Sequence, residues 1–164
     1  VALYYDRQYD AALAQLQRSA EMEQGSGSVE HYVSLIYEQK GDQDGAVRQD
    51  VLTLHETQPK LDGAALLSVY RKYGREAYWR AYTRALHTTT AGACTAYQIG
   101  LDDLRVNNYD DAFESFQHAI DSHCFNMAFI RVDPLLDSVR HDSRYADLLT
   151  RMHQQTDRIL KMAR

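Results

Sequence analysis

Apolar positions recur at helical spacing along almost the whole chain. Between Tyr9 and Met22 they fall at positions 12, 13, 16 and 20, and steps of three and four place them on one face of a helix. The same spacing predicts further helices over 29–40, 46–55, 61–73, 76–87, 94–106, 110–123 and 143–162. Gly41 and Gly74 interrupt the pattern where helix ends are expected. We therefore predict an all-α fold.

One short phrase recurs at a regular interval within this pattern. The phrase around Ala12 returns around Ala46, one period later, and around Ala112, close to two further periods on. Such a period, of roughly 34 residues, is typical of stacked copies of one supersecondary unit. Because two antiparallel helices need a small residue where their backbones cross, we expect these alanines to serve packing and not binding. The middle copy is the least regular, because Ala77 follows Ala46 sooner than the period requires.

The order of small, aromatic and turn residues resembles the tetratricopeptide repeat. The stretch from Ile99 to Ala119, with Gly100, Ala112 and Phe116, carries the resemblance most closely. The copy over 33–46 matches in spacing, but it has Asp50 where a large apolar residue is expected, and Val51 is expected to substitute. The resemblance implies a right-handed superhelix of antiparallel helix pairs, an α-solenoid, with repeats at about 1–24, 28–58, 61–90 and 94–124.

The segment after the last repeat has its own signature. Asp133 is placed to cap a helix whose first residue is Pro134. The run from Ile130 to Leu149 resembles the capping segment of a bacterial subgroup of tetratricopeptide proteins, so 125–164 is expected to close a single domain over 1–164. Arrays of that subgroup often follow a DNA-binding, cyclase or kinase domain. Since the chain opens at Val1 within an apolar helical stretch, we interpret it as a piece of a longer protein.

The resemblance also implies where a partner would bind. Ligands of this family usually lie in a concave groove lined by the first helices of the repeats. Carried over, that groove contains His31, Leu35, Glu38, Val69, Lys72, Tyr97, Leu101, Leu104 and Arg105. Apolar centres with scattered charges suit an extended or helical peptide. The alternative is that Leu35, Leu101 and Leu104 only pack against neighbouring repeats.

Three functional roles follow as hypotheses. The first is a non-enzymatic protein-interaction module that binds a partner peptide or protein. The second is a regulatory or sensory domain of a bacterial transcription regulator or signalling enzyme. The third is self-association as a homodimer, because Leu3, Tyr4 and Leu13 would form an apolar end with no earlier repeat against it.

Composition limits the other classes of function. The net charge of −5 argues against direct binding of nucleic acid, and no apolar run is long enough to cross a bilayer. No catalytic, cofactor-binding or metal-binding motif is recognisable, so we expect neither an enzyme nor a cofactor. His118, His123 and Cys124 lack metal-ligand spacing, and the pair Asp102–Asp103 is expected to be helix-surface charge.

The two cysteines bear on the compartment. Two are too few for a disulfide framework, so Cys94 and Cys124 are expected to be free thiols in a reducing environment. This expectation assumes a reducing compartment, and we expect a cytoplasmic location unless a signal precedes Val1.

Overall fold

A computed structural model describes residues 1–22, 27–57, 61–88 and 94–162. Within these ranges the regular elements are helices, and no strand occurs among them. The predicted all-α class is therefore confirmed. The chain divides into two compact units, Val1–Thr89 and Thr90–Arg164, and each is described here by itself. The predicted helix end at Pro59 and most of the predicted loop over 88–92 lie outside the described residues.

The described residues of the first unit form five helical elements. They are α1 (Ala2–Tyr5), α2 (Tyr9–Met22), α3 (Gly27–Gln39), α4 (Gln43–Thr57) and α5 (Gly63–His87). The most extensive packing is between α3 and α4. In addition, α2 packs against α3, and α5 packs against α4. Inside α5, Gly74 has φ 83° and ψ −173°, a conformation essentially restricted to glycine, and this break separates the two helical segments that the sequence predicts.

The second unit begins with an antiparallel helix pair and ends in a long helix. Its elements are α6 (Thr95–Arg105), α7 (Tyr109–Asp121), two short 3₁₀ helices (Phe125–Phe129 and Pro134–Val139) and α8 (Ser143–Met162). The bounds of α8 and α2 are those predicted from periodicity. The core lies between α6, α7, the 3₁₀ helices and the first half of α8.

The sequence period is also a period of the backbone. Arg7, Gly41 and Asn107 each have a positive φ, of 59°, 81° and 59°, and His123, after α7, has the same conformation outside the period. Each donates its N–H to the carbonyl three residues back, and the next residue donates to the carbonyl five residues back, at 3.0 and 2.9 Å for the Gly41 turn. These paired bonds define a Schellman motif. The three turn residues are spaced as the three alanines are, and Gly74 lies midway between Gly41 and Asn107.

Small residues sit where α6 crosses α7. A Cβ added to Gly100 would lie 2.6 Å from Cε1 of Phe116, whose ring is fully buried. Ala112 is likewise buried. In the first unit the position corresponding to Gly100 is Ser34, whose hydroxyl donates to the carbonyl of Ala46 at 2.9 Å. At Gly100 no larger side chain fits without a rearrangement, and at Ser34 the hydrogen bond ties the two helices together.

The first unit has no aromatic side chain at the position that corresponds to Phe116. Asp50 occupies the position of Phe116 and is buried, while Val51 is only partly buried, so the expected substitution by Val51 is wrong. The hydroxyl of Tyr78, from the second segment of α5, donates to the carboxylate of Asp50. A hydrogen-bonded pair therefore replaces an apolar contact, because a buried carboxylate requires a donor.

The terminal signature is held by one arginine. The guanidinium of Arg140 donates to the carboxylate of Asp137 at 2.8 Å, to the carbonyls of Arg131 and Asp133 at 2.7 and 3.1 Å, and to the hydroxyl of Tyr145 at 2.9 Å. Asp133 caps the second 3₁₀ helix by accepting from the N–H two residues on, as predicted. The residues that form the terminal signature therefore stabilise the irregular backbone of this segment.

The cysteines form a disulfide, Cys94–Cys124, with a Cα–Cα distance of 4.8 Å. The expectation of two free thiols is therefore wrong. The bond ties the start of α6 to the turn after α7, two points that the antiparallel packing of the pair brings together. Spacing along the chain, 30 residues, gave no sign of this proximity.

The crossing of α6 and α7 predicts an unusual response to Gly100→Ala. In an uncrowded helix, alanine would stabilise by about 1 kcal/mol over glycine. Here the methyl group would overlap the ring of Phe116, so we expect the free energy of unfolding to fall by about 1–2 kcal/mol. Urea denaturation measures this change. In a Phe116→Leu background the same alanine should cost less, and a stabilised Gly100→Ala protein would contradict the packing.

Reduction of the disulfide should destabilise the protein. Closing a loop of this length contributes about 3–4 kcal/mol in the chain-entropy treatment. We expect a phosphine reductant to lower the denaturation midpoint of the wild-type chain and to leave a Cys94→Ser/Cys124→Ser variant unchanged. Thiol titration of the unfolded, unreduced protein checks the bond directly, and two reactive thiols there would refute it.

Candidate functional site

Most of the predicted groove in the second unit is core. The side chains of Tyr97, Leu101 and Leu104 are 3, 4 and 7% exposed and belong to the cluster around α7. These residues cannot contact a partner unless the unit rearranges. For Leu101 and Leu104, and for the buried Leu35 of α3, the structure favours the packing alternative.

Arg105, the remaining predicted groove residue of this unit, is also buried. It pairs with Asp102, one turn earlier on α6, whose carboxylate also accepts from Gln98 at 3.1 Å. Asp103 is buried as well, and the amide of Asn108 donates to it at 3.3 Å. The expectation that Asp102 and Asp103 are surface charge is therefore wrong. Both side chains are enclosed by the fold, and each carboxylate accepts a hydrogen bond through its Oδ1 atom.

A third buried carboxylate lies at the edge of this core. The hydroxyl of Tyr97 donates to Asp133 at 2.9 Å, and the N–H of Leu135 donates to its other oxygen at 3.0 Å. Burial raises the pKa of the Asp133 carboxyl above its ordinary value, and the two hydrogen bonds offset part of that increase. Tyr97 therefore orders the terminal segment through its hydroxyl.

In the first unit, the predicted residues of α3 are also engaged internally. Glu38 is buried and forms a salt bridge with Arg75 of α5, with Oε1 and Nη2 2.8 Å apart. Leu35 is buried, and the partly buried ring of His31 packs edge-on against Tyr32 with centroids 5.8 Å apart. The carboxylate of Glu38 joins α3 to α5 and is not presented to a partner.

Lys72 and Val69 of α5 differ from the other predicted residues. Lys72 is exposed, and Val69 is partly buried beside it. Tyr73 is next to them and 64% exposed, with Nζ of Lys72 5.0 Å from its ring centroid. Arg71 is exposed too. Tyrosine and arginine are enriched at protein–protein interfaces.

These residues end a continuous exposed stripe on the first segment of α5, which we term the basic α5 face. It consists of Ala64, Ala65, Ser68, Arg71 and Lys72, all exposed. Their steps of three and four place them on one side of the helix. The sequence analysis found only Lys72. Counting the charges of each predicted helix would have identified the other cations of this region, because Gly63–His87 has five arginines and lysines in total and one glutamate.

The histidine, cysteine and carboxylate side chains of the described residues were predicted not to bind metal. No group of three histidine, cysteine or carboxylate side chains within them is arranged to hold a metal ion. His118 is exposed, and its ionic neighbour is Glu114, one turn away at 3.9 Å. Cys124 is in the disulfide. None of the described helices is both long and apolar enough to span a bilayer.

Comparison with known proteins gives no assignment. No protein-family model matches the chain, and no curated protein matches it. The resemblance to the tetratricopeptide repeat therefore depends on the residues of this chain alone.

The buried carboxyl of Asp133 predicts a specific pH dependence. Because the folded protein holds this proton more tightly than the unfolded chain, its contribution to stability falls as the pH rises from the ordinary aspartate value through the raised pKa. Asp133→Asn removes that dependence. Urea denaturation gives the free energy of unfolding of the variant minus that of the wild type. We expect this difference to be more favourable to the variant at pH 7 than at pH 4. Asp147→Asn, at an exposed site on α8, is the control, and equal shifts in both variants would contradict the assignment.

Proposed function

We propose that this chain is a non-enzymatic protein-interaction module of the tetratricopeptide type, whose helix pairs stack as a right-handed superhelix. The observation that carries the proposal is the coincidence of two periods. Left-handed turn residues recur at Arg7, Gly41 and Asn107, and buried small residues follow each by five positions at Ala12, Ala46 and Ala112. Repetition of one packing unit is characteristic of arrays that bind other proteins along an extended surface.

The basic α5 face is the proposed binding surface. It contains Lys72 from the predicted groove, with Val69 beside it, and its side chains are accessible. The predicted residues of the second unit are set aside because the fold buries them. Glu38 is assigned a structural role in holding Arg75.

The other two hypotheses stay predictions. The contacts of Arg140 order the terminal segment that suggested a regulatory or sensory role, and they are contacts within the fold. Self-association through the apolar end has less support, because Tyr4 is 1% exposed and packs against Tyr32 with ring centroids 5.6 Å apart. A homodimer stays a prediction.

The disulfide bears on the compartment. Bonds such as Cys94–Cys124 persist in oxidising compartments and are rare in reducing ones. We therefore propose an oxidising environment for this region in place of the cytoplasmic location expected from the sequence.

Site-specific crosslinking tests the proposed surface. A photoreactive amino acid in place of Ser68, which leaves Arg71 and Lys72 intact, should yield a discrete crosslinked product in extracts of the source organism. The same amino acid at Ser138, an exposed position of the second unit, should not. Mass spectrometry then identifies the crosslinked segment. Absence of a product at position 68, or the same products at both positions, would refute binding at this face.

A further inference from the structure

We propose that the basic α5 face binds an acidic, helical segment of a partner protein, an inference that builds on the proposed function. Charge is the first argument. The chain carries −5 in total, but α5 has Arg71, Lys72, Arg75, Arg80 and Arg84 against a single acid, Glu76. This helix is therefore a cationic segment in an acidic protein.

Some of these cations already interact within the fold, which leaves fewer of them for a partner. Arg75 pairs with Glu38, and Arg80 pairs with Glu76, each at 2.8 Å. Arg84 lies in the last turn of α5, where a cation favours the helix dipole. Within the part of the chain that the structure describes, no carboxylate pairs with Arg71 or Lys72. Among the five cations of α5, Arg71 and Lys72 therefore lie side by side on the basic α5 face with their charges unpaired within the described residues.

The shape of the face suits a helix. Ala64, Ala65 and Ser68 continue the stripe from Arg71 and Lys72 towards the start of α5. Small side chains let the backbone of a second helix approach closely, as Gly100 does for Phe116 within this chain. The stripe is about 12 Å long, which corresponds to about two turns of a partner helix.

The basic α5 face has opposite charges near its two ends, which favours a peptide over a uniform polyanion as its partner. Asp62, exposed at the start of α5, accepts from the N–H of Ala65 and keeps a negative charge at that end. A phosphate backbone or an anionic membrane would meet this carboxylate together with Arg71 and Lys72. A partner helix can instead place acids opposite the two cations and neutral residues opposite Asp62.

A designed pair of peptides tests the inference. The probe is a labelled helical peptide of about 15 residues, composed of alanine, leucine and glutamate, long enough for measurable helicity. Its match has glutamine at each glutamate position. Fluorescence anisotropy with the full chain should show binding of the acidic peptide, weaker binding at higher salt, and at least about tenfold weaker binding of the neutral peptide.

Charge reversal locates the interaction. Arg71→Glu/Lys72→Glu should weaken binding of the acidic peptide by at least about tenfold. Arg18→Glu/Arg131→Glu changes the net charge equally at exposed sites elsewhere and should leave the affinity within about twofold. Circular dichroism and thermal unfolding confirm that both variants fold. Equal binding of the two peptides, or equal loss in the two variants, would overturn the inference.

The remaining outcomes separate this inference from the proposed function. Binding of phosphatidylserine vesicles or single-stranded DNA that depends on Arg71 and Lys72, with no binding of the acidic peptide, would also overturn it. If crosslinking at position 68 captures a segment without an excess of acids, the inference fails and the proposed function stands. If position 68 yields no product, the proposed function fails whatever the designed peptide does.

Discussion

The close crossing of paired antiparallel helices is the constraint on which the rest of this structure depends. At the α6–α7 crossing, Gly100 leaves room for the ring of Phe116, and the buried Ala112 keeps the second backbone near. The left-handed residue Asn107 sets where the chain reverses, five residues before that alanine. Turn and crossing must stay in register, because a shift of one residue would turn the small residues away from the contact.

The same crossing in the first unit shows how far the chemistry of a repeat can change while its geometry is kept. Ser34 replaces the glycine, and Asp50 replaces the aromatic ring. Both are buried, and each forms a hydrogen bond, to the carbonyl of Ala46 and the hydroxyl of Tyr78. Since a buried carboxylate without a donor costs several kcal/mol, Asp50 and Tyr78 are expected to depend on each other. Replacing Asp50 alone by the phenylalanine of the other helix pair would therefore leave the hydroxyl of Tyr78 without its acceptor.

Periodicity predicted the elements well and their surroundings poorly. The ends of α2 and α8 follow from apolar spacing and local capping, which act over a few residues. Spacing shows which face of a helix is apolar, but it does not show how many neighbours cover the other faces. For that reason Asp102 was expected at the surface, and Tyr97 was expected in a groove. The disulfide was missed because it depends on the distance between Cys94 and Cys124 in the folded pair.

Polar groups that the fold already uses say little about binding, and this distinction places the candidate site. Asp133 and Arg140 order the terminal segment, and Glu38 joins two helices through Arg75. Removing such groups would unsettle the fold before it affected any partner. Exposed charge on α5 is different in kind. Within the described residues, no carboxylate pairs with Arg71 or Lys72, so reversing their charge would break no ion pair of the fold. A change in partner binding at these two positions could therefore be separated from a change in folding.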